Sequence, residues 1–187
     1  IDRHEIRHIF TSSRRESSVL FVTLGSALFL DLEFAIFAGV LLSLILFLER
    51  EAKPLIKRCT PDPRTYKRNF VTDTSLQECP QLRFITIEGP LFFGSVNRVM
   101  DSFDLFRNKS PEQKHLAIMA EGITNVDLQG GEALASEFKA RQDMGGEMYL
   151  IQVRQQLWDA LQACDCMDEH SDRNIFESKQ AAVHGIY

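Results

Sequence analysis

The chain lacks the residue spacing of a metal site. Its four cysteines include a single close pair, Cys164 and Cys166, which forms only a Cys-x-Cys motif. No second pair and no histidine stands at the spacing that structural zinc sites use. We therefore expect no metal ligands in this sequence, and we expect the cysteines to be free thiols in a reducing compartment.

The sequence also has no excess of positive charge. The formal net charge of the 187 residues is -5, which argues against a nucleic-acid partner bound through a broad basic surface. Negative charge is concentrated in the second half, where twelve Asp and Glu residues follow position 115 against five Lys and Arg residues. We expect no nucleic-acid binding.

Recognisable catalytic patterns are missing as well. No nucleophile stands near a base at a known spacing, and no glycine fingerprint for a phosphate is present. His115, His170 and His184 are scattered, as surface histidines usually are. Backbone amides at Gly130 and Gly131 would suit a nucleotide phosphate, but no Lys or Arg lies near them to support one. The sequence predicts a protein that is not an enzyme and needs no cofactor.

The most distinctive feature that the chain does have is a pair of apolar runs near its start. Residues 19–30 and 34–48 carry no charge, and only Asp31 and Glu33 interrupt them. A single membrane-spanning helix needs about 20 apolar residues, so each run is short. Together they predict a transmembrane helical hairpin over residues 19–48, with a buried hairpin of a soluble protein as the alternative. Small residues that allow close helix packing recur in it: Gly25, Ser26, Ala27, Ala35, Ala38, Gly39 and Ser43.

Flanking charges give this hairpin an orientation. Arg14 and Arg15 precede the first run, and Arg50 and Lys53 follow the second. Because basic residues favour the cytoplasmic side of a membrane, both ends of the hairpin are expected there, with its acidic turn outside. Residues 1–18 are then a cytoplasmic connecting segment. The chain begins at Ile1 without a methionine or a signal-peptide pattern, which suggests a piece of a longer protein.

Residues 49–80 are predicted to be a linker. Four prolines would break any long helix there, and many charges lie between them. The part from Lys53 to Arg68 is net basic, so at a membrane surface it would attract anionic lipid head groups.

Residues 81–187 alternate between strand-like and helix-like patterns. Such alternation predicts a small α/β domain with a central β-sheet and flanking helices. The predicted elements are a strand over 82–87, a turn at 88–90, a short strand over 91–93, a helix capped by Ser95, a strand over 116–120, a helix after Asp127, a strand over 147–153, a helix around Leu157, an edge strand at 175–176 and a terminal helix.

One strand, one polar loop and one helix meet near position 127. The apolar run 116–120 predicts a buried strand, the segment 122–127 a loop, and Asp127 a cap for the helix that follows. This junction suits a switch or docking surface, although a plain strand-to-helix turn is the alternative. Its glycines would let backbone amides approach an anion or a partner. The candidate site residues are Thr124, Asp127, Leu128, Gln129, Gly130 and Gly131.

The order of these segments resembles the end of the SulP anion transporters, the family of sulfate permeases and their animal relatives. The hairpin resembles their last two membrane segments, and the remainder resembles the STAS domain that ends them. The motifs that carry the resemblance are Thr23, Asp31-Leu32-Glu33, Gly39-Val40-Leu41-Leu42-Ser43, Glu49-Arg50 and Pro54 in the first part, and Phe92-Phe93-Gly94-Ser95-Val96 and Val126-Asp127-Leu128-Gln129-Gly130 in the second.

This resemblance implies the carboxyl-terminal portion of a secondary transporter for anions such as sulfate, bicarbonate or dicarboxylates. The transporter would lie in a bacterial inner membrane, in contact with lipid, and its STAS domain would be cytoplasmic. The domain would regulate transport, bind a cytoplasmic protein partner or hold a homodimer together. The substrate site would lie between upstream helices, so this chain would contain no substrate-binding residue.

One residue departs from the related soluble anti-anti-sigma factors. In those proteins a serine directly after the aspartate accepts phosphate from a kinase, whereas Leu128 stands at that position here. Thr124 carries a hydroxyl but lies on the other side of Asp127. The departure favours docking or assembly over the alternative, a membrane-tethered switch of the anti-sigma-factor-antagonist kind.

Overall fold

The computed structural model describes residues 14–29, 31–62, 70–72, 76, 78–164 and 172–186. Residues 1–13 of the predicted connecting segment, Cys166 and His170 lie outside that description. The chain divides into two compact units, Ile1–Glu51 and Ala52–Tyr187. Each unit is described by itself.

The described part of the first unit contains two helices, α1 (Arg14–Phe29) and α2 (Leu32–Glu51). Among the described residues, one helix is long and apolar enough to cross a membrane, namely Leu32–Arg50 with a mean hydropathy of 2.2. At 1.5 Å per residue this span measures about 28 Å, close to the thickness of a hydrocarbon core. The apolar part of α1, Ser17–Phe29, is shorter.

Small residues bring α1 and α2 together, as their pattern predicts. A Cβ atom added to Gly39 would lie 2.7 Å from Oγ1 of Thr23, so α1 packs directly on the backbone of α2 at this point. The Thr23 hydroxyl donates a hydrogen bond to the carbonyl oxygen of Val19 at 2.7 Å, which satisfies it within its own helix. Ala35 is buried in the same helix pair. A larger residue at position 39 would force the helices apart.

The second unit is built on a mixed sheet. Its strands are β1 (Leu55–Pro61), β2 (Phe70–Val71), β3 (Leu82–Leu91), β4 (His115–Met119), β5 (Ile123–Val126), β6 (Met148–Ile151) and β7 (Ile175–Phe176). The order is β2-β1-β3-β4-β6-β7, and β5 also pairs with β3. The first two strands run antiparallel to their neighbours, and the other pairs are parallel.

Within the described residues, four helices flank this sheet: α3 (Phe93–Lys109), α4 (Leu128–Asp143), α5 (Gln155–Ala163) and α6 (Lys179–Ile186). Val99 and Phe103 of α3 pack with Leu134 of α4 and Leu157 of α5 in one core cluster. A second cluster contains Ala182 of α6. The predicted fold class is therefore confirmed: an α/β domain with a central sheet and flanking helices, preceded by an apolar helix.

Strand β3 contributes side chains to both core clusters. Along β3, Ile85 and Ile87 belong to the cluster with α3, α4 and α5, whereas Leu82 and Phe84 belong to the cluster with α6. Alternate residues of a strand point to opposite faces. Because both faces of β3 are covered, this strand is nearly continuously buried and carries the apolar run seen in the sequence.

The predicted linker needs a correction, because β1 and β2 lie inside residues 49–80. β1 pairs with β3 from Leu55 opposite Glu88 to Cys59 opposite Phe84. Pro54 and Pro61 bound this strand rather than excluding it, since a proline is tolerated at strand ends. This part of the predicted linker is thus a strand that forms the sheet together with β3.

A second correction concerns residues 88–95. β3 does not turn at 88–90 but continues to Leu91, with a register shift between Gly89 and Leu91. Gly89 has a φ of 118°, a conformation that only glycine adopts without strain. Phe93 is then the first residue of α3 rather than part of a strand, and Ser95 caps the helix from its first turn, where its side chain accepts from the backbone amide of the N-cap residue Phe92.

The loop predicted over 122–127 is largely structured. A short 3-10 helix, Ala120–Gly122, follows β4 and leads into β5. Gly89 pairs with Ile123, and Leu91 pairs with Val126. β4 and β5 therefore pair with successive halves of β3. The polar composition of residues 122–127 gave no indication of the strand β5.

The cysteines follow the expectation only in part. Cys59 is a free thiol. Burial raises the pKa of the Cys59 thiol to about 12 although Lys179 lowers it, so this thiol is neutral at physiological pH. Cys164 is disulfide-bonded, which corrects the expectation of a free thiol at that position.

Candidate docking site

The structure places the six predicted site residues along one connection. Thr124 lies on β5, Asp127 precedes α4, and the other four residues form the first turn of α4. This connection lies beside the start of α3, because the backbone amide of Asp127 donates to the carbonyl oxygen of Leu91 at 3.2 Å. The site therefore lies where two helices begin. The sequence analysis placed it at the start of α4 alone.

Asp127 joins these two helix starts through its carboxylate. Its Oδ1 accepts a hydrogen bond from the backbone amide of Gly130 at 2.8 Å, which confirms the predicted cap of α4. Its Oδ2 accepts one from the backbone amide of Phe93 at 3.0 Å, at the start of α3. Both amides lie at the positive ends of helix dipoles, where a negative charge is stabilising. Asp127 thus fixes the two helices relative to each other.

The two glycines serve close packing. A Cβ atom on Gly130 would lie 2.2 Å from the carbonyl oxygen of Leu91, and one on Gly131 would lie 3.1 Å from that of Ala160. Their amides are also engaged, since the Gly130 amide donates to the Asp127 side chain and the Gly131 amide to the Asp127 carbonyl oxygen. The expectation that these glycines present amides to an anion or a partner is therefore wrong.

What the site does present to solvent is apolar. Phe93 is 68% exposed and Leu128 is 51% exposed, and they are the first residues of α3 and α4. We refer to them as the Phe93–Leu128 pair. The polar residues Thr124 and Gln129 are exposed around it. Phe92 meets Phe93 edge to face, with 5.4 Å between ring centroids. Two large exposed apolar side chains beside the half-buried Asp127 are suited to docking rather than to chemistry.

Ser95 holds the start of α3 in place. It is fully buried, and its Oγ accepts a hydrogen bond from the backbone amide of Phe92 at 2.9 Å. The same hydroxyl lies 3.0 Å from the carbonyl oxygen of Phe92 and 3.1 Å from that of Pro90, either of which can accept its proton. This bond ties the first turn of α3 to the end of β3, so the exposed Phe93 stands on a rigid support.

Farther along α3 and α4, a buried ionic cluster fixes the two helices again. Glu137 of α4 accepts hydrogen bonds from Arg141, at 2.6 Å from its Nε, and from Arg107 of α3. Glu137 and Arg141 are buried, and Nη1 of Arg141 also donates to the carbonyl oxygen of Gln113 at 2.9 Å. Burial raises the pKa of Glu137, although Arg141 and Arg107 lower it. No sequence pattern indicated this cluster.

A cavity of about 300 Å³ lies elsewhere on the domain, next to β1 and β3. Among its charged groups, Lys179 lies 3.4 Å from Glu121, and Glu88 lies 3.0 Å from Lys57. Within the described residues, no group of three or more His, Cys, Asp or Glu side chains is placed to hold a metal ion. The paired charges and the neutral thiol of Cys59 resemble no arrangement of nucleophile and base.

Comparison with known proteins identifies this architecture. The family model of the STAS domain matches residues 73–182, more than half of the chain. The chain belongs to the STAS-domain family. The matched range contains β3 to β7, all of the candidate site and the first half of α6, so the Phe93–Leu128 pair and Asp127 lie within the STAS domain.

Similar proteins extend the match to nearly the whole chain. The putative sulfate transporter YvdB of Bacillus subtilis (strain 168) is 20% identical over 176 residues, covering 94% of this chain and 31% of YvdB. The murine Slc26a9 anion transporter in its inward-facing state has the same fold, with a TM-score of 0.77, 18% identity and coverage of 97% of this chain and 30% of that one. A second SLC26A9 structure gives the same TM-score and identity. The chain spans about a third of the length of these relatives.

Proposed function

We propose that this chain is the carboxyl-terminal portion of a SulP-type secondary anion transporter of the sulfate, bicarbonate or dicarboxylate class. The observation that carries the proposal is the continuity of the match. Similarity to transporters runs through the apolar helices and the STAS domain in one alignment. A STAS domain that occurred alone would give a match to the second unit only. The substrate site then lies in the rest of the transporter, outside this chain.

In this proposal residues 19–48 lie in the bacterial inner membrane, and the STAS domain lies in the cytoplasm. The surfaces of α1 and α2 support it, since large apolar side chains such as Phe29 and Phe37 are exposed along them. A soluble protein would seldom expose so much apolar area. The basic residues at both outer ends of the hairpin support a cytoplasmic position for the domain.

The STAS domain acts in regulation, assembly or docking, and not as an enzyme. The Phe93–Leu128 pair on its rigid support favours a docking role. The alternative, a membrane-tethered switch of the anti-sigma-factor-antagonist kind, is disfavoured because Leu128 offers no hydroxyl to a kinase. Homodimerisation through the transporter is part of the same proposal.

The experiment that tests this function uses the full-length transporter that contains the chain. Uptake of radiolabelled sulfate, bicarbonate and succinate is measured in vesicles, for the intact protein and for a version that ends at Glu51. We expect uptake of one of these anions, and a loss of transport or of dimer after truncation. Lys139→Met is the control, since this residue is exposed on α4 and lies outside the candidate site. Unchanged transport and dimerisation after truncation would contradict the regulatory and assembly role.

A further inference from the structure

We infer that the cavity next to β1 and β3 is a binding site for a small zwitterion, namely an α-amino acid with an apolar side chain. All residues that line this cavity belong to the second unit. The inference goes beyond the proposed transport role and does not depend on it. Three observations carry it: the place of the cavity in the sheet, the charged side chains around it, and the apolar side chains that complete its lining.

The cavity lies where one face of the sheet changes from apolar to polar. Leu82 and Phe84 of β3 belong to the core cluster that includes α6. Thr86 and Glu88 follow on the same face, because alternate residues of a strand share a face, and both line the cavity of about 300 Å³. β4 also ends here, at Met119. Ligands of α/β proteins bind beyond the carboxyl ends of parallel strands, and ligand cavities begin at about this volume.

The side chains around the cavity carry charges of both signs. Gly122 has no side chain, and a Cβ atom there would lie 3.1 Å from Cγ of Glu88. This close approach brings Glu121, the neighbour of Gly122, next to β3, so that Glu88 and Glu121 line the same cavity. Lys179, the first residue of α6, lines it as well. With Lys57 beside Glu88, the site holds two carboxylates and two ammonium groups.

The ion pairs at this site can open for a ligand. Nζ of Lys179 lies 3.4 Å from Oε2 of Glu121, which is longer than the distance of about 2.7–2.9 Å in a strong charge-assisted hydrogen bond. Nζ of Lys57 lies 3.0 Å from Oε2 of Glu88, and all four side chains are partly exposed. Exposed pairs contribute little to stability, because water screens them. A ligand with both charges can place its ammonium on the carboxylates and its carboxylate on Lys179, so that no charge loses its partner.

The charge balance and the apolar lining together select the class of ligand. A nucleotide or another polyanion would bring its negative charges beside Glu88 and Glu121. A ligand with a single charge would take one member of an ion pair and leave the other member without a partner. Phe70, Met119 and the buried Cys59 supply the apolar part of the lining. An α-amino acid with an apolar side chain matches both parts of the site.

Equilibrium dialysis of radiolabelled L-leucine against the full chain in detergent tests the inference. L-Leucine is the probe because it carries both charges and a branched apolar side chain. Unlabelled 3-methylbutylamine and 4-methylpentanoate are the competitors, since they are L-leucine without its carboxylate and without its ammonium group, respectively. Detergent micelles without protein give the background.

Two variants locate the binding at the cavity. Glu121→Gln removes a carboxylate and Lys179→Met removes an ammonium group, and both native side chains are partly exposed. Glu132→Gln and Lys139→Met are the matched controls, because they remove the same charges from exposed positions of α4. Thermal unfolding of all four variants verifies that each has kept its fold.

We expect saturable binding of L-leucine with a Kd of about 1 mM or tighter, as a ligand of this size supports. Glu121→Gln and Lys179→Met should each weaken binding about tenfold, because each removes a charge-assisted bond, and the two controls should leave it unchanged. Each competitor should need a concentration about tenfold higher than that of unlabelled L-leucine.

Three results would overturn the inference. The first is a lack of saturable binding up to about 10 mM L-leucine. The second is binding that survives both Glu121→Gln and Lys179→Met, which would place L-leucine elsewhere on the chain. The third is equal competition by either analogue, which would show a site for a single charge.

Discussion

At the scale of single residues, Asp127 has the largest structural role in the candidate site. Its two carboxylate oxygens accept from the amides of Gly130 and Phe93, which begin different helices. An ordinary helix cap serves one helix, so this aspartate stabilises a tertiary contact as well as a local one. Its neighbours Phe93 and Leu128 owe their positions to it.

Replacing Asp127 by alanine should therefore cost more than the loss of one cap. We expect Asp127→Ala to lower the free energy of unfolding by about 2 kcal/mol, the upper end of the range for a lost cap. Urea unfolding of the full chain in detergent measures this. Thr124→Ala is the control and should change stability by less than about 0.5 kcal/mol. Equal stability of the two variants would show that the double cap contributes little.

Gly130 should tolerate no side chain. A Cβ atom there would lie 2.2 Å from the carbonyl oxygen of Leu91, so α4 would have to move away from β3. We expect Gly130→Ala to destabilise the domain by about 1–3 kcal/mol, in spite of the better helix propensity of alanine. Thermal unfolding is the measurement, and Ser136→Ala on the exposed side of α4 is the control. A stabilised Gly130→Ala variant would contradict the packing described.

The thiol of Cys59 predicts a pH dependence. Burial raises its pKa from 9.0 to about 12 in the folded chain. Because the raised value belongs to the folded state, its contribution to stability is complete below pH 9 and is lost as the pH rises toward 12. Cys59→Ala should lose less stability than the native chain over that interval. Unfolding curves measured at several alkaline pH values check this, and parallel curves would contradict it.

Mass spectrometry after incubation with cell extract and ATP tests the role of Leu128. We expect no phosphate on the connection between β5 and α4, because the residue after Asp127 has no hydroxyl. Leu128→Ser restores an acceptor at that position and serves as the comparison. Phosphate on Thr124 of the native chain would revive the switch interpretation.

At the scale of elements, α3 and α4 are joined at two places. Asp127 joins their starts, and the buried Glu137 joins Arg107 of α3 to Arg141 of α4 farther along. Removing one partner of a buried ionic cluster leaves charge without compensation. The positions of α3 and α4 at the candidate site are therefore also held by contacts remote from it.

We expect Arg141→Met to destabilise the domain by about 3–5 kcal/mol, because Glu137 and the carbonyl oxygen of Gln113 each lose a partner. Adding Glu137→Gln should restore part of the loss, since a neutral amide is less costly to bury than an unpaired carboxylate. Chemical unfolding of both variants checks this, with the exposed Lys139→Met as control. A double variant no more stable than Arg141→Met would contradict the ionic explanation.

Comparison of the predicted and observed elements shows where local patterns were sufficient. The helices after Asp127 and around Leu157 were predicted correctly, because their apolar periodicity lies within the helix itself. β1 was missed because its pairing partner lies about thirty residues away and prolines bound it. Phe93 was missed as a site residue for the same reason, since its bond to Asp127 joins positions far apart in the sequence.

At the scale of the whole molecule, the proposed topology predicts which surfaces are reached from outside the cell. In the full-length transporter, Asp31→Cys in the turn should react with a membrane-impermeant maleimide on intact cells. Lys109→Cys at the end of α3 should react only after permeabilisation. Labelling is measured by gel shift, with the native chain as the background control. The reverse pattern would place the STAS domain outside and contradict the orientation.

The short connection between α2 and the sheet has a mechanical consequence. α2 ends at Glu51 and β1 begins at Leu55, so only Ala52, Lys53 and Pro54 lie between them. Three residues span about 10 Å at most, and Pro54 is buried. A connection of this length is too short to act as a flexible tether. The start of β1 therefore cannot separate from the end of α2 by more than this short connection allows.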